Sequence, residues 1–167
     1  ELVTVHALAE RLMRQAVSPQ DDQSRVAADT CLAAATFFQG DFAQARVHCQ
    51  SALQRHFTHI ARPVSFLYGQ DPSVIAESLL GFAAWMEGDF AAARREHRNA
   101  VERAGGVSNS FSLCLARVWF GRMLFESRDY EGALEHTEFV ADLSRQKGYA
   151  FVEAMADMIG GACLVHL

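Results

Sequence analysis

Three segments of the chain superimpose when it is slid along itself: Phe37-Phe38-Gln39-Gly40-Asp41-Phe42-Ala43-Gln44-Ala45, Trp85-Met86-Glu87-Gly88-Asp89-Phe90-Ala91-Ala92-Ala93 and Phe125-Glu126-Ser127-Arg128-Asp129-Tyr130-Glu131-Gly132-Ala133. Each copy carries an aromatic residue, a break at Gly or Arg followed by Asp, a second aromatic, and an alanine three residues further on. A helical hairpin needs that order. Glycine takes the left-handed conformation that ends a helix, and aspartate accepts orphan amide hydrogens of the next. The second aromatic closes over the turn, and a small residue one turn later lets the two helices approach. Repetition of such a corner restricts the chain to helix pairs stacked one on the next, because each pair buries its apolar face against its neighbour.

Apolar residues recur at helical spacing before each corner: Val26, Ala27, Leu32, Ala35 and Phe38, then Ile75, Leu79, Phe82, Ala83 and Met86, then Leu115, Val118, Trp119 and Phe125. The pattern resumes after it, as in Phe42, Ala45, Cys49, Ala52 and Leu53. Helix stops are expected at Ser18-Pro19, Gly105-Gly106 and Gly148. Eight helices follow, over about 2–17, 23–39, 42–57, 72–87, 90–104, 109–127, 130–147 and 149 to the end.

Half of the 167 residues are apolar and a fifth are charged, which suits one domain with a real core. The net charge of -5 leaves no basic surplus for a phosphate backbone, so no nucleic-acid partner is expected. Arg94, Arg95, Arg98 and Arg103 are interleaved with Glu96 and Glu102, the pattern of a solvated helix face. No apolar run reaches the ~18 to 20 residues of a membrane span, and no signal peptide opens the chain, so a cytoplasmic location is expected. Cys31, Cys49, Cys114 and Cys163 are scattered without a C-x-x-C pair, which predicts buried, reduced thiols.

The Leu80-Gly81 pair, seven residues before the turn glycine, is similar to the tetratricopeptide pattern, as are the small residues Ala45, Ala52, Ala93, Ala100 and Ala133 of the second helices. Phe120-Gly121 approximates the pair in the third unit, and Leu32-Ala33 replaces it in the first. The turn aspartates are 48 and 40 residues apart, longer than the usual unit of about 34, so the excess goes into helices or loops. A narrower resemblance rests on Glu1-Leu2-Val3-Thr4, Leu8-Ala9-Glu10-Arg11-Leu12, Phe38-Gln39-Gly40-Asp41-Phe42 and Phe66-Leu67-Tyr68-Gly69-Gln70-Asp71-Pro72. These resemble the helical C-terminal region of bacterial predicted ATPases fused to class III adenylate or guanylate cyclases or to DNA-binding regulators. The resemblance implies an all-α, right-handed superhelix of about four helix hairpins, one tetratricopeptide-like domain over 1–167 cut from a larger signalling protein. No G-x-x-x-x-G-K-[ST] and no cyclase metal segment is present, so neither nucleotide hydrolysis nor cyclisation is expected of this segment.

The residues offer no catalytic set. His56 and His59, with His48 upstream, have metal-like spacing without a Cys, Asp or Glu nearby in sequence, and no metal or other cofactor is expected. His48, His97 and His136 occupy near-equivalent places in their repeats, which suggests a structural slot. No Ser-His-Asp or Cys-His signature occurs, and Gly105-Gly106 and Gly160-Gly161 lack the context of a phosphate loop.

Two features stand out as candidate binding elements. The stretch from Thr58 to Gln70, with Arg62, Phe66, Tyr68 and Gln70, is long for a connection: it is either a binding loop or a clamp over the ridge between repeats. Asp71-Pro72 then starts a helix as N-cap and first residue. The second is the aromatic stripe Phe37, Trp85 and Phe125, one place in each first helix. Where first helices line a concave groove, as the resemblance implies, Phe82, Trp85, Met86, Arg122 and Phe125 touch a bound peptide or a neighbouring domain; the alternative is inter-repeat core. The expected role is a non-catalytic arm that binds protein or peptide. A small-molecule sensor is an alternative, as is a homodimer through Met155, Ile159, Leu164 and Val165 of the last helix.

Overall fold

The computed structural model describes residues 2–16, 21–59, 69–106 and 109–167, with the side chains of 57–59 excepted. Among these, eight α-helices and no strand occur: α1 Leu2–Gln15, α2 Asp22–Phe38, α3 Phe42–His59, α4 Pro72–Met86, α5 Phe90–Gly106, α6 Ser110–Glu126, α7 Tyr130–Lys147 and α8 Ala150–His166. The fold is all-α. The expected stop at Gly105-Gly106 comes two residues later than the sequence places it, α5 including both glycines, and the next helix is started by Asn109, whose side chain accepts from the Ser112 amide at 2.9 Å.

The three corners share one hydrogen-bond scheme. Gly40, Gly88 and Arg128 sit at φ 86°, 85° and 62°. Their amides donate to Phe37, Trp85 and Phe125 carbonyls, and the following Asp41, Asp89 and Asp129 amides reach back to Thr36, Ala84 and Leu124 at 2.9–3.0 Å. The same aspartates then turn round: Oδ1 accepts from Gln44, Ala92 and Gly132 amides at 3.1, 3.0 and 3.2 Å. One residue thus ends one helix and caps the next. Across each corner the two aromatics meet, Phe37 on Phe42 at 5.4 Å, Trp85 on Phe90 at 4.6 Å and Phe125 on Tyr130 at 5.7 Å. Arg128 holds the left-handed conformation without glycine's freedom, at a cost of about 1 kcal/mol.

Each helix packs on its neighbours in sequence, and α2, α4, α6 and α8 also pack on one another in turn. Alternate helices therefore line up side by side as one layer. Asp71 anchors this layer: it caps α4, its Oδ1 accepting from the Ser73 amide at 2.9 Å and hydroxyl at 2.6 Å. Its own amide donates to Ser112 Oγ of α6 at 2.8 Å. A cap of this kind is worth about 1 kcal/mol.

Inside the hairpins a second repeated feature appears. Twelve residues before the turn aspartate stands a buried acid, Asp29 on α2 and Glu77 on α4; fourteen residues after it stands an arginine, Arg55 on α3 and Arg103 on α5. Arg55 Nε lies 3.5 Å from Asp29, and Arg103 grips both Glu77 oxygens, Nη2 at 3.1 Å. The third hairpin departs from this. Arg117 takes the acid's place and lies over the Phe139 ring at 4.0 Å. Between hairpins, Arg46 pairs with Glu87 and Arg94 with Asp129 at 3.1 Å, each reaching from a second helix to the next corner.

Three cysteines are buried, and burial pushes the Cys49 thiol up to about 12, which keeps it unreactive. Cys31 contradicts the expectation of buried thiols: it is exposed.

Candidate functional site

A concavity of about 490 Å³ opens on the layer of alternate helices. The last turn of α2 gives it Phe37 and Phe38, and α4 gives Leu79, Phe82, Trp85 and Met86. The α6 helix adds Trp119, Arg122 and Glu126, and α8 adds Met155, Met158 and Ile159. Along α4, α6 and α8 the lining positions recur every three or four residues, one face of an α-helix, so three stripes and the end of α2 merge into one wall. The floor is an aromatic row: Phe37 and Trp119 lie 6.3 and 6.1 Å from Phe82 on either side. At the rim, Phe38, Met86 and Met158 are 66%, 55% and 60% exposed. Arg122 is held to Glu126 one turn on, Nε to Oε1 at 2.8 Å, so the one cation in the wall is neutralised locally.

Four of the five expected groove residues, Phe82, Trp85, Met86 and Arg122, come together here. Phe125 does not line it. Its ring turns instead to Tyr130 and to His166 at 6.1 Å, closing the third corner against the end of α8. Groove and core also prove not to be exclusive for Trp85, which lines the concavity and packs on Phe90 and the buried Ala84, Ala92 and Ala93. The sequence reading missed the contribution of α8, although the signal was present: Leu79, Trp119 and Ile159 are spaced by forty residues each. Of the candidate loop, Arg62, Phe66 and Tyr68 lie outside the described residues; Gln70 is half-buried beside Asp71.

Behind the floor lies a buried histidine. His97 of α5 is fully buried, and neither ring nitrogen has a hydrogen-bond partner. Phe82 meets it edge-on at 4.6 Å and Phe120 stacks on it at 5.7 Å, while Phe120 touches His136 at 4.7 Å. The slot exists because position 81 is glycine: a Cβ there would lie 2.8 Å from the ring. The three histidines are not one slot. Counting from the turn aspartates, His97 aligns with Cys49 and Thr137, whereas His48 and His136 sit one residue earlier.

Burial, reinforced by nearby His136, pushes the His97 pKa down to about 3. Between the ordinary 6.5 and that value the unfolded chain holds a proton that the folded chain refuses. Stability is therefore full above pH 6.5 and falls as pH drops, by up to ~1.4 kcal/mol per pH unit. His56 and His136, also lowered by burial, act in the same sense. Glu77, raised by burial, opposes them: its contribution is present below the ordinary carboxylate range and lost as pH rises. Melting followed from neutral pH to about pH 4 should fall steeply, and His97→Cys should flatten the slope by about one proton. An unchanged slope would remove His97 from the acid sensitivity.

No catalytic arrangement emerges from the described side chains. Ser51 Oγ and His48 Nδ1 both approach the Asp29 carboxylate, at 2.7 and 3.2 Å, so the serine and histidine bind the acid separately and form no relay. Among the described residues no three His, Cys, Asp or Glu side chains are grouped to hold a metal ion. Compared with family models, curated proteins and solved structures, the chain matches none.

Proposed function

We propose that the chain is a tetratricopeptide-like superhelical arm that binds an apolar segment of a protein, or a neighbouring domain, and so regulates a bacterial signal-transduction ATPase linked to a cyclase or a transcription regulator. It works without catalysis and in the cytoplasm. One observation carries the binding role: the continuous wall of aromatic and methionine side chains drawn from α2, α4, α6 and α8. Methionine adapts its shape to an incoming side chain, and aromatic walls grip one without a large loss of rotamer freedom. The shared corners and the serial packing of the hairpins support the superhelical reading. Among the described residues no helix is long and apolar enough to cross a membrane.

A small-molecule effector is the second reading, favoured by the volume of about 490 Å³, which falls within the range of ligand pockets. The rim methionines separate binding from folding better than Trp85 does, because they are more than half exposed. Met86→Glu with Met158→Glu should leave the melting temperature within a degree or two, since exposed substitutions change stability by about 0.5 kcal/mol or less. With the wild-type chain as bait, cross-linking should capture a protein that the double variant loses. Capture that survives both glutamates would end the groove reading. A metabolite that raises the wild-type melting temperature, but not that of the double variant, would transfer the site to a small molecule.

A further inference from the structure

The groove has an electrical polarity that its apolar lining conceals. Three helices end at it: Phe37 and Phe38 are the last two residues of α2, Trp85 and Met86 the last two of α4, and Glu126 the last of α6. A helix C-terminus carries a partial negative charge, and three of them meet at this one concavity. The positive ends of the helices that follow are offset, because Asp41, Asp89 and Asp129 carboxylates already cap α3, α5 and α7.

The floor adds to that field. Phe37, Phe82 and Trp119 form a row whose neighbouring planes are inclined at 51° and 64°, and the face of an aromatic ring is the negative part of its quadrupole. Arg122 does not reverse the sign, since Nε and Nη2 of its guanidinium both engage Glu126 Oε1. A net charge of -5 over the whole chain acts in the same sense.

We propose that the groove takes a small organic cation with a quaternary ammonium head, the ring faces and helix C-termini holding the charge while Met155 and Met158 cover its apolar body. The proposal rests on the small-molecule reading of the groove and names the class of ligand. The wall selects the head by what it lacks. A primary ammonium would bury three N–H donors, yet among the described lining residues the one side chain with an oxygen acceptor is Glu126, already engaged by Arg122. A quaternary nitrogen has no N–H to satisfy and gives up its water more readily than a compact, strongly hydrated ammonium. The concavity of about 490 Å³ accommodates such a head with a body of several carbons.

Trp85 and Trp119 are the only tryptophans in the chain and both line the groove, so intrinsic fluorescence reads its occupancy without a label. Titration of the full chain with choline should give a saturable change. The neutral analogue of choline, with a tert-butyl group in place of trimethylammonium, should bind about fivefold more weakly or worse. Arg122→Gln frees the Glu126 carboxylate and should tighten choline about threefold or more, without helping the neutral analogue. Equal affinities for choline and its neutral analogue would overturn the selection of a cation while leaving a small-molecule groove in place. No response to choline at any soluble concentration overturns the proposal, and the Met86→Glu with Met158→Glu capture then decides the groove by itself. A trimethyl-lysine peptide that binds about tenfold tighter than choline would place the head on a modified protein and overturn the small-molecule source.

Discussion

Arg103→Met should destabilise the protein by about 3 kcal/mol or more, seen as a lowered midpoint in urea at unchanged slope. The arginine forms a two-point contact with Glu77, whose side chain is only 5% exposed. Burial already raises the Glu77 pKa, and Arg103 is the chief opposing influence. Remove it and the carboxylate must ionise in a dry site, or take up a proton at neutral pH. The penalty should shrink as the solution is acidified, since protonation then costs less. Glu77→Leu in the same chain should recover most of the loss, because two apolar groups in place of a buried pair are close to neutral. By contrast, breaking the exposed Arg94 and Asp129 pair should cost less than about 1 kcal/mol. Equal losses at the two sites would show that the α4/α5 hairpin does not depend on its internal ion pair.

Gly81→Ala should cost about 1–3 kcal/mol, although alanine is the better helix former by about 1 kcal/mol. The new methyl would fall 2.8 Å from the His97 ring, which is enclosed by Phe82 and Phe120 and has nowhere to move. The first hairpin already contains the alternative pairing, Ala33 with Cys49, both fully buried in one cluster. Gly81→Ala combined with His97→Cys should therefore be more stable than the sum of the single changes predicts, with a coupling of about 1 kcal/mol or more in a double-mutant cycle measured by thermal melting. Strict additivity would mean that glycine is present for a reason other than the ring.

Much of the architecture was written locally. Each corner is settled by about nine consecutive residues, since each cap hydrogen bond spans five positions or fewer, and the aspartates could be assigned both roles from their neighbours alone. The helix ends followed within two residues, that of α5 included, which takes in Gly105 and Gly106 instead of stopping before them. Glycine weakens a helix without forbidding it, and packing of the adjoining Ala104 in the core outweighs that loss. The misplacement of Phe125 has the same kind of cause. It matches Phe37 and Trp85 in sequence, but His166 of α8 stands beside it and draws the ring away from the concavity.

By itself the sequence determined that the chain is helical, where its corners lie and which faces are apolar, because capping and periodicity act between residues a few positions apart. Only the tertiary structure decided which apolar positions became groove and which became core, and which buried acid met which arginine. Those outcomes depend on the angle at which one helix crosses the next, and that angle is set by side chains on different helices, beyond the reach of capping and periodicity.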